Sequence, residues 1–195
     1  MPFAAGSHAV HHRYVADMRC AIAMLLVSSA AAAEHAPGDA LVAAGIVIDT
    51  DRFANGALTL EGALRLPVQP LWVHASGAWG GTVDLFEGSG PFRRGMAGLE
   101  LEGPCRTEYE NPAMWSCLLL GLDAGYESSH VNFRDDVTDY TDAGPVIVAR
   151  LGLSGVYHHL AIRGDFHFVE HREHGPVDAG WQYGLGVALA VGYRR

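Results

Sequence analysis

The sequence predicts an all-β fold: an eight-stranded antiparallel up-and-down transmembrane β-barrel, preceded by a signal peptide. Three observations predict it. First, eight separate stretches alternate large apolar residues with small or polar ones at period two, the pattern of strands with two unlike faces. Second, glycine is abundant, at 24 residues, and falls inside those alternating runs rather than in low-complexity segments. Third, only 18% of residues are charged, below the roughly 25–35% of a soluble surface, and no continuous apolar 18-mer offers an ordinary transmembrane helix.

The clearest stretch is residues 181–193. Trp181, Tyr183, Leu185, Val187, Leu189, Val191 and Tyr193 share one face, and Gln182, Gly184, Gly186, Ala188, Ala190 and Gly192 share the other. A strand crossing a bilayer needs about 9–11 residues, whereas strands of globular proteins usually run about 5–6. Trp181, Tyr183 and Tyr193 lie near the two ends, where aromatic girdles meet lipid headgroups. The small residues suit a narrow lumen where strands crowd.

The remaining strands are justified in turn. Residues 39–49 form a weak first candidate, with Leu41, Ala43, Gly45 and Val47 on one parity and Ile46 and Ile48 on the other; Asn55-Gly56 reads as the turn that follows. Residues 57–66 place Leu58, Leu60, Leu64 and Leu66 opposite Thr59, Glu61, Ala63 and Arg65, and Pro67 and Pro70 bracket a tight reversal. Residues 71–84 leave their faces undecided, because each carries a tryptophan, Trp72 or Trp79. Residues 94–102 turn Ala97, Leu99 and Leu101 outward and Arg94, Gly98, Glu100 and Glu102 inward. Residues 115–127 alternate Leu118, Leu120, Leu122 and Tyr126 with Gly121, Asp123 and Gly125. Residues 146–154 oppose Ile147, Leu151 and Leu153 to Arg150 and Gly152, and residues 159–169 oppose Ile162, Phe166 and Phe168 to Arg163, Asp165 and His167. Connections after the second and sixth strands are short. Segments 51–56, 85–93, 128–144 and 170–180 are polar loops on one side. Alternation of short turns and longer loops separates the two ends of a membrane barrel, and an even strand number lets the last strand close on the first.

The inward faces hold Glu61, Arg65, Arg94, Glu100, Asp123, Arg150, Arg163 and Asp165, a balanced set expected to pair as a polar network across the lumen. A soluble carrier barrel would invert this, with apolar residues lining the cavity.

At the N-terminus, Arg13 and Arg19 precede an apolar run, 21–27, and Ala31-Ala32-Ala33 supplies a small-x-small cleavage pattern. Residues 1–33 read as the signal peptide, with Met18 as an alternative start, and 34–195 as the barrel domain. The net charge is −9, and lysine is absent. An acidic chain without a basic cluster argues against nucleic acid as a partner. In an exported chain, Cys105 and Cys117, which bracket a segment containing Asn111-Pro112, are expected to form a disulfide.

With these features the chain resembles the small eight-stranded outer-membrane β-barrel proteins of Gram-negative bacteria. The resemblance rests on the export signal, the eight alternating segments, the glycine-rich strands and the terminal aromatic strand ending at Tyr193; Arg194 and Arg195 after it depart from the pattern of ending on an aromatic residue. It implies location in the cell outer membrane, contact with outer-membrane lipid and lipopolysaccharide, insertion by the barrel-assembly machinery, and a monomer with a structural or surface-interaction role. Two alternatives stand beside it: a barrel enzyme, for example one modifying lipid A, and a soluble periplasmic lipocalin-like binder of small ligands.

Catalytic and metal chemistry are weakly signalled. Ser128, Ser129 and His130 lie near Glu127, and Ser154 near His158, without a distinctive context for a nucleophile and base. His158 and His159 are adjacent and point apart in a strand, and His159 is eight residues from His167. His167 with Asp165 could meet His171 or His174 only after a bend. The aspartates at 135, 136, 139 and 142 lack calcium-loop spacing. No cofactor, metal or catalytic residue is expected.

Overall fold

The computed structural model describes residues 38–50, 54–68, 70–83, 89–107, 113–132, 139–172 and 181–195. The expected signal peptide, 1–33, lies outside them. Eight strands follow one another: β1 (Ala40–Thr50), β2 (Ala54–Arg65), β3 (Leu71–Val83), β4 (Ser89–Thr107), β5 (Met114–Asn132), β6 (Asp139–Tyr157), β7 (Leu160–Arg172) and β8 (Trp181–Arg194). Each pairs antiparallel with the next, and β8 pairs with β1, so the sheet is a closed up-and-down barrel. Closure gives each of the eight strands a partner on both sides.

Gly38, Arg195, the strand ends Arg65, Leu71, Thr107 and Met114, and the turn at 158–159 lie at one end, the turn end. The strand ends Thr50, Ala54, Val83, Ser89, Asn132, Asp139, Arg172 and Trp181 lie at the other, the loop end. At the turn end, Leu66 N–H donates to Leu71 O (2.8 Å) and Leu71 N–H to Val68 O (3.0 Å). His158 takes the left-handed backbone, φ 52°, between β6 and β7.

Burial follows the period-two pattern. On β8, Tyr183, Leu185, Val187, Leu189, Val191 and Tyr193 are exposed, while Arg194 is buried at the end of the inward row. The two faces of β3 are distinguished: Trp72 and His74 turn inward, Val73 and Trp79 outward. On β1, Leu41, Ala43, Val47 and Asp49 are inward, and Val42, Ile46 and Ile48 outward. Small inward residues let the closing seam form. A Cβ on Gly192 would stand 2.5 Å from Val42 O and 2.7 Å from Ala43 Cβ, so a side chain there would force β8 away from β1.

Several strand limits differ from the expectation. The strands β4, β5 and β6 are each 19 residues long. Segments read as loop, including Ser89–Arg93 and Ser128–Asn132 and the start of β6, belong to paired strands. Alternation of large apolar with small residues is a demand of the apolar belt. Beyond it the ladder continues without that demand, so the pattern fades before the pairing does. Asn55-Gly56 is likewise not a turn: both residues pair with β1, and Asn55 Nδ2 donates to Asp49 Oδ1 at 3.2 Å.

Near the turn end, Glu102 pairs with Leu119 and Cys105 with Cys117, so β4 carries one extra residue there. That bulge keeps both Glu102 and Cys105 inward. Cys105 and Cys117 form a disulfide across the β4–β5 ladder, within a buried cluster that includes Leu41, Trp72, Val156 and Ala161. The closed loop is short, with a sequence separation of 12, and the chain-entropy model gives a stabilisation of about 3 kcal/mol. Replacing both cysteines by serine should therefore lower the unfolding free energy in detergent by about that amount while preserving the barrel; a urea midpoint equal to wild type would contradict this.

Candidate functional site: the charged lumen

The interior is a stack of three polar layers built by inward positions of facing strands. The layer nearest the loop end is organised by Arg94 on β4. Its Nε donates to Glu127 Oε2 on β5 (2.6 Å) and its Nη1 to Asp49 Oδ2 on β1 (2.6 Å). Asn55 on β2 donates to Asp49, and Thr82 Oγ1 on β3 donates to Asn55 Oδ1 at 2.7 Å. His171 on β7 stands 3.3 Å from both Glu127 Oε1 and Asp142 Oδ1 on β6. Seven of the eight strands contribute to this one network.

The middle layer joins β2 to β7. Arg163 Nη1 donates to Glu61 Oε1 at 2.5 Å and its Nη2 to Glu100. Arg150 donates from Nη2 to Glu100 Oε2 (3.2 Å), and its Nε lies 3.1 Å from Asp123 Oδ2. His74 Nε2 lies 2.5 Å from Asp123 Oδ1, and His167 pairs with Asp165. All these side chains are buried or nearly so. Neither carboxylate shared by the two arginines comes from a strand adjacent to its arginine's own, so the cations tie together strands that the ladder does not pair.

The layer at the turn end centres on Glu102. Arg194 binds it with both terminal nitrogens, Nη2 donating to Oε2 at 2.8 Å. Arg65 Nη2 (3.2 Å) and Trp72 Nε1 (3.1 Å) donate to the same oxygen. Both guanidinium carbons also lie over the Trp72 ring, 4.9 Å and 4.7 Å from its centroid.

Counted over the described residues, eight inward carboxylates (Asp49, Glu61, Glu100, Glu102, Asp123, Glu127, Asp142, Asp165) face five guanidiniums (Arg65, Arg94, Arg150, Arg163, Arg194) and three imidazoles. Each imidazole faces a carboxylate. Between the lower layers, an internal cavity of about 10 Å³ beside Trp72, Glu100 and Glu102 has room for about one water. The chemistry supported here is structural: carboxylates held against guanidiniums and imidazoles inside a filled barrel.

Of the eight sequence-derived lumen residues, Glu61, Arg94, Glu100, Asp123, Arg150, Arg163 and Asp165 meet in the two upper layers, and Arg65 stands apart at the turn end. Sequence reasoning missed Asp49, Trp72, His74, Glu127, Asp142, His171 and Arg194 as members. Two signals were available: Glu127 closes the inward row of Asp123 and Gly125 within residues 115–127, and parity carried past the assumed strand ends puts Asp142 in the row of Arg150 and Arg194 in that of Gly192. Tyr183 and Tyr193 are outward and exposed; the Trp181 side chain lies outside the described residues. Tyr183 stacks with Phe168 (centroids 5.9 Å apart), and Tyr193 with His159 (5.2 Å).

The weakly signalled chemistry does not assemble. Ser129 and Glu127 face inward while Ser128 and His130 lie on the other parity, and His130 Nδ1 is 2.6 Å from Thr141 Oγ1. Ser154 is buried in the lumen, and His158 is exposed in the turn. His167 and His171 have separate carboxylate partners; His174 lies outside the described residues. Among the described residues, Glu102, Cys105 and Cys117 are close enough to share an ion, but the disulfide leaves no thiolate to bind one.

No protein-family model matches the chain, and no curated protein matches it. Solved structures do. Neisserial surface protein A superposes with a TM-score of 0.57 at 11% identity, over 83% of this chain and 100% of that one. Ail, the attachment invasion locus protein of Yersinia pestis, gives 0.48 at 14% identity, over 81% and 99%. At 11% identity the likeness to Neisserial surface protein A is one of fold alone.

If the cations hold the lumen together, removing one should strand its carboxylates. Arg163→Met leaves Glu61 and Glu100 short of their shared partner, and should destabilise the barrel by about 3–5 kcal/mol. Urea titration of the folded form in detergent reads this; a loss below about 0.5 kcal/mol, typical of a surface site, would contradict it.

Proposed function

We propose that the chain is a non-enzymatic β-barrel protein of the bacterial outer membrane with a structural or surface-interaction role. The barrel anchors, and the loop end meets the exterior. The observation that carries this is the inversion of polarity. Every strand turns large apolar side chains outward, among them Val42, Leu58, Val73, Leu99, Leu122, Leu151, Ile162 and Leu185, all exposed. The lumen network of carboxylates, guanidiniums and imidazoles is sealed within. Soluble monomers rarely expose apolar patches beyond a few hundred Å², whereas a continuous apolar belt is what hydrocarbon requires.

The dimensions agree. Tyr183 and Tyr193 are ten residues apart on β8; at ~3.3 Å per residue and a tilt near 40° that is a height of about 25 Å, the apolar band of such barrels. A lipocalin-like carrier needs an apolar cavity, and here the interior is occupied by ion pairs. Insertion by the barrel-assembly machinery after export, with residues 1–33 removed, is the route this reading implies, and its surroundings are outer-membrane lipid and lipopolysaccharide.

Cell fractionation with gel migration tests the reading. The protein should require detergent for extraction and should migrate differently before and after boiling, because the closed barrel resists denaturation by the gel detergent. Release into the soluble periplasmic fraction without detergent would overturn it.

A further inference from the structure

One outward-facing place departs from the aliphatic belt. On β3, β4 and β5 the register sets two rows of neighbours on the outer surface. Trp79, Arg93 and Ser128 form the row nearer the loop end, and Gly77, Gly95 and Tyr126 the row beneath it. The indole of Trp79 folds down over Gly77, where a Cβ would stand 2.5 Å from Cη2. Gly95 is different: nothing lies within 4 Å of where its Cβ would be. The outcome is a surface cavity of about 300 Å³ lined by these six residues and Arg94. Its side walls are aromatic, with Trp79 55% and Tyr126 58% exposed. Along β4 its floor continues to Ala97, which lies between Ala75 and Ala124.

Arg93 heads this notch. Its neighbour Arg94 is buried and committed to Asp49 and Glu127, whereas Arg93 is exposed and makes no ion pair among the described residues. A cation, a hydroxyl and two aromatic rings thus sit together at the loop-end margin of the apolar belt, above an uncovered hydrocarbon-facing slot. A guanidinium at that depth attracts an anionic headgroup, and the slot below accepts an acyl chain.

We propose that this notch seats one molecule of the phosphorylated, multiply acylated glycolipid of the outer leaflet. A phosphate rests against Arg93 and the Ser128 hydroxyl, and one acyl chain lies along β4 over Gly95 and Ala97, between Trp79 and Tyr126. The glycolipid is favoured over a glycerophospholipid because the loop end faces the outer leaflet, which that glycolipid builds. The proposal rests on the outer-membrane reading above.

The test is native mass spectrometry of the full-length exported protein, extracted in neutral detergent and titrated with purified diphosphoryl lipid A, with phosphatidylglycerol as competitor. Wild type should retain one lipid A per barrel. Arg93→Gln should weaken retention about tenfold, as expected for loss of a charge-assisted contact. Gly95→Leu, which fills the slot from a position facing open space, should weaken it as well. Both variants should keep the heat-modifiable migration of the folded barrel. Lipid A held equally by wild type and both variants would overturn the proposal, as would phosphatidylglycerol binding equally well. A dimer that either substitution abolishes would assign the notch to a second copy and overturn it too. Wild type lacking heat-modifiable migration would defeat the outer-membrane reading itself, whereas folded variants that keep their lipid A defeat this site alone.

Discussion

The structure depends on one constraint: ionised groups must be paired away from the surface while apolar groups occupy it. An eight-stranded barrel is narrow enough that side chains fill it. Carboxylates placed inside, such as Glu100 or Asp123, are unstable unless a cation is held against them, because desolvating an unpaired charge costs several kcal/mol. The sequence meets this with long, forked arginines that reach from one wall to another. Arg163 and Arg150 share Glu61 and Glu100, and Arg94 bridges β1 and β5 through Asp49 and Glu127. Lysine, a point charge without a planar fork, is not used anywhere in the chain.

The small residues follow from the same constraint. Long guanidinium groups crossing the lumen leave room for little else on the strands between them. Facing the arginines, β8 contributes almost only glycine and alanine until Arg194. That residue closes the turn end by clasping Glu102 beneath Trp72. Arg194 thus joins the last strand to β4 across the barrel, beside a disulfide that ties β4 to β5.

Much of this was legible in the sequence because period-two alternation is a strong signal where one face must be apolar. Eight strands, their order, and the outward faces of β2, β4, β5, β7 and β8 followed from it, while the cysteine pair followed from the export signal and the segment it brackets. The limits of β4, β5 and β6 did not, since above the belt both faces tolerate polar residues, and Ser128, Ser129 and Asp142 read as loop while pairing as strand. For the same reason Asp142 and His171 of the loop-end layer were missed, although Arg94 and Glu127 lay within the strands read from the sequence. The ambiguity of β3, with a tryptophan on each face, is chemical: Trp72 is inside because Glu102 accepts its N–H, and Trp79 is outside because Gly77 leaves its ring a bed.

The central claim is that the apolar face meets hydrocarbon. Leu189 is outward on β8 between Tyr183 and Tyr193, near the middle of the belt, and half exposed. The most direct measurement is the folding free energy of Leu189→Arg against wild type in lipid vesicles, by urea titration. A lipid-facing midplane position predicts a loss of about 2–4 kcal/mol. A change within about 0.5 kcal/mol, as for a substitution on a water-exposed surface, would contradict the account.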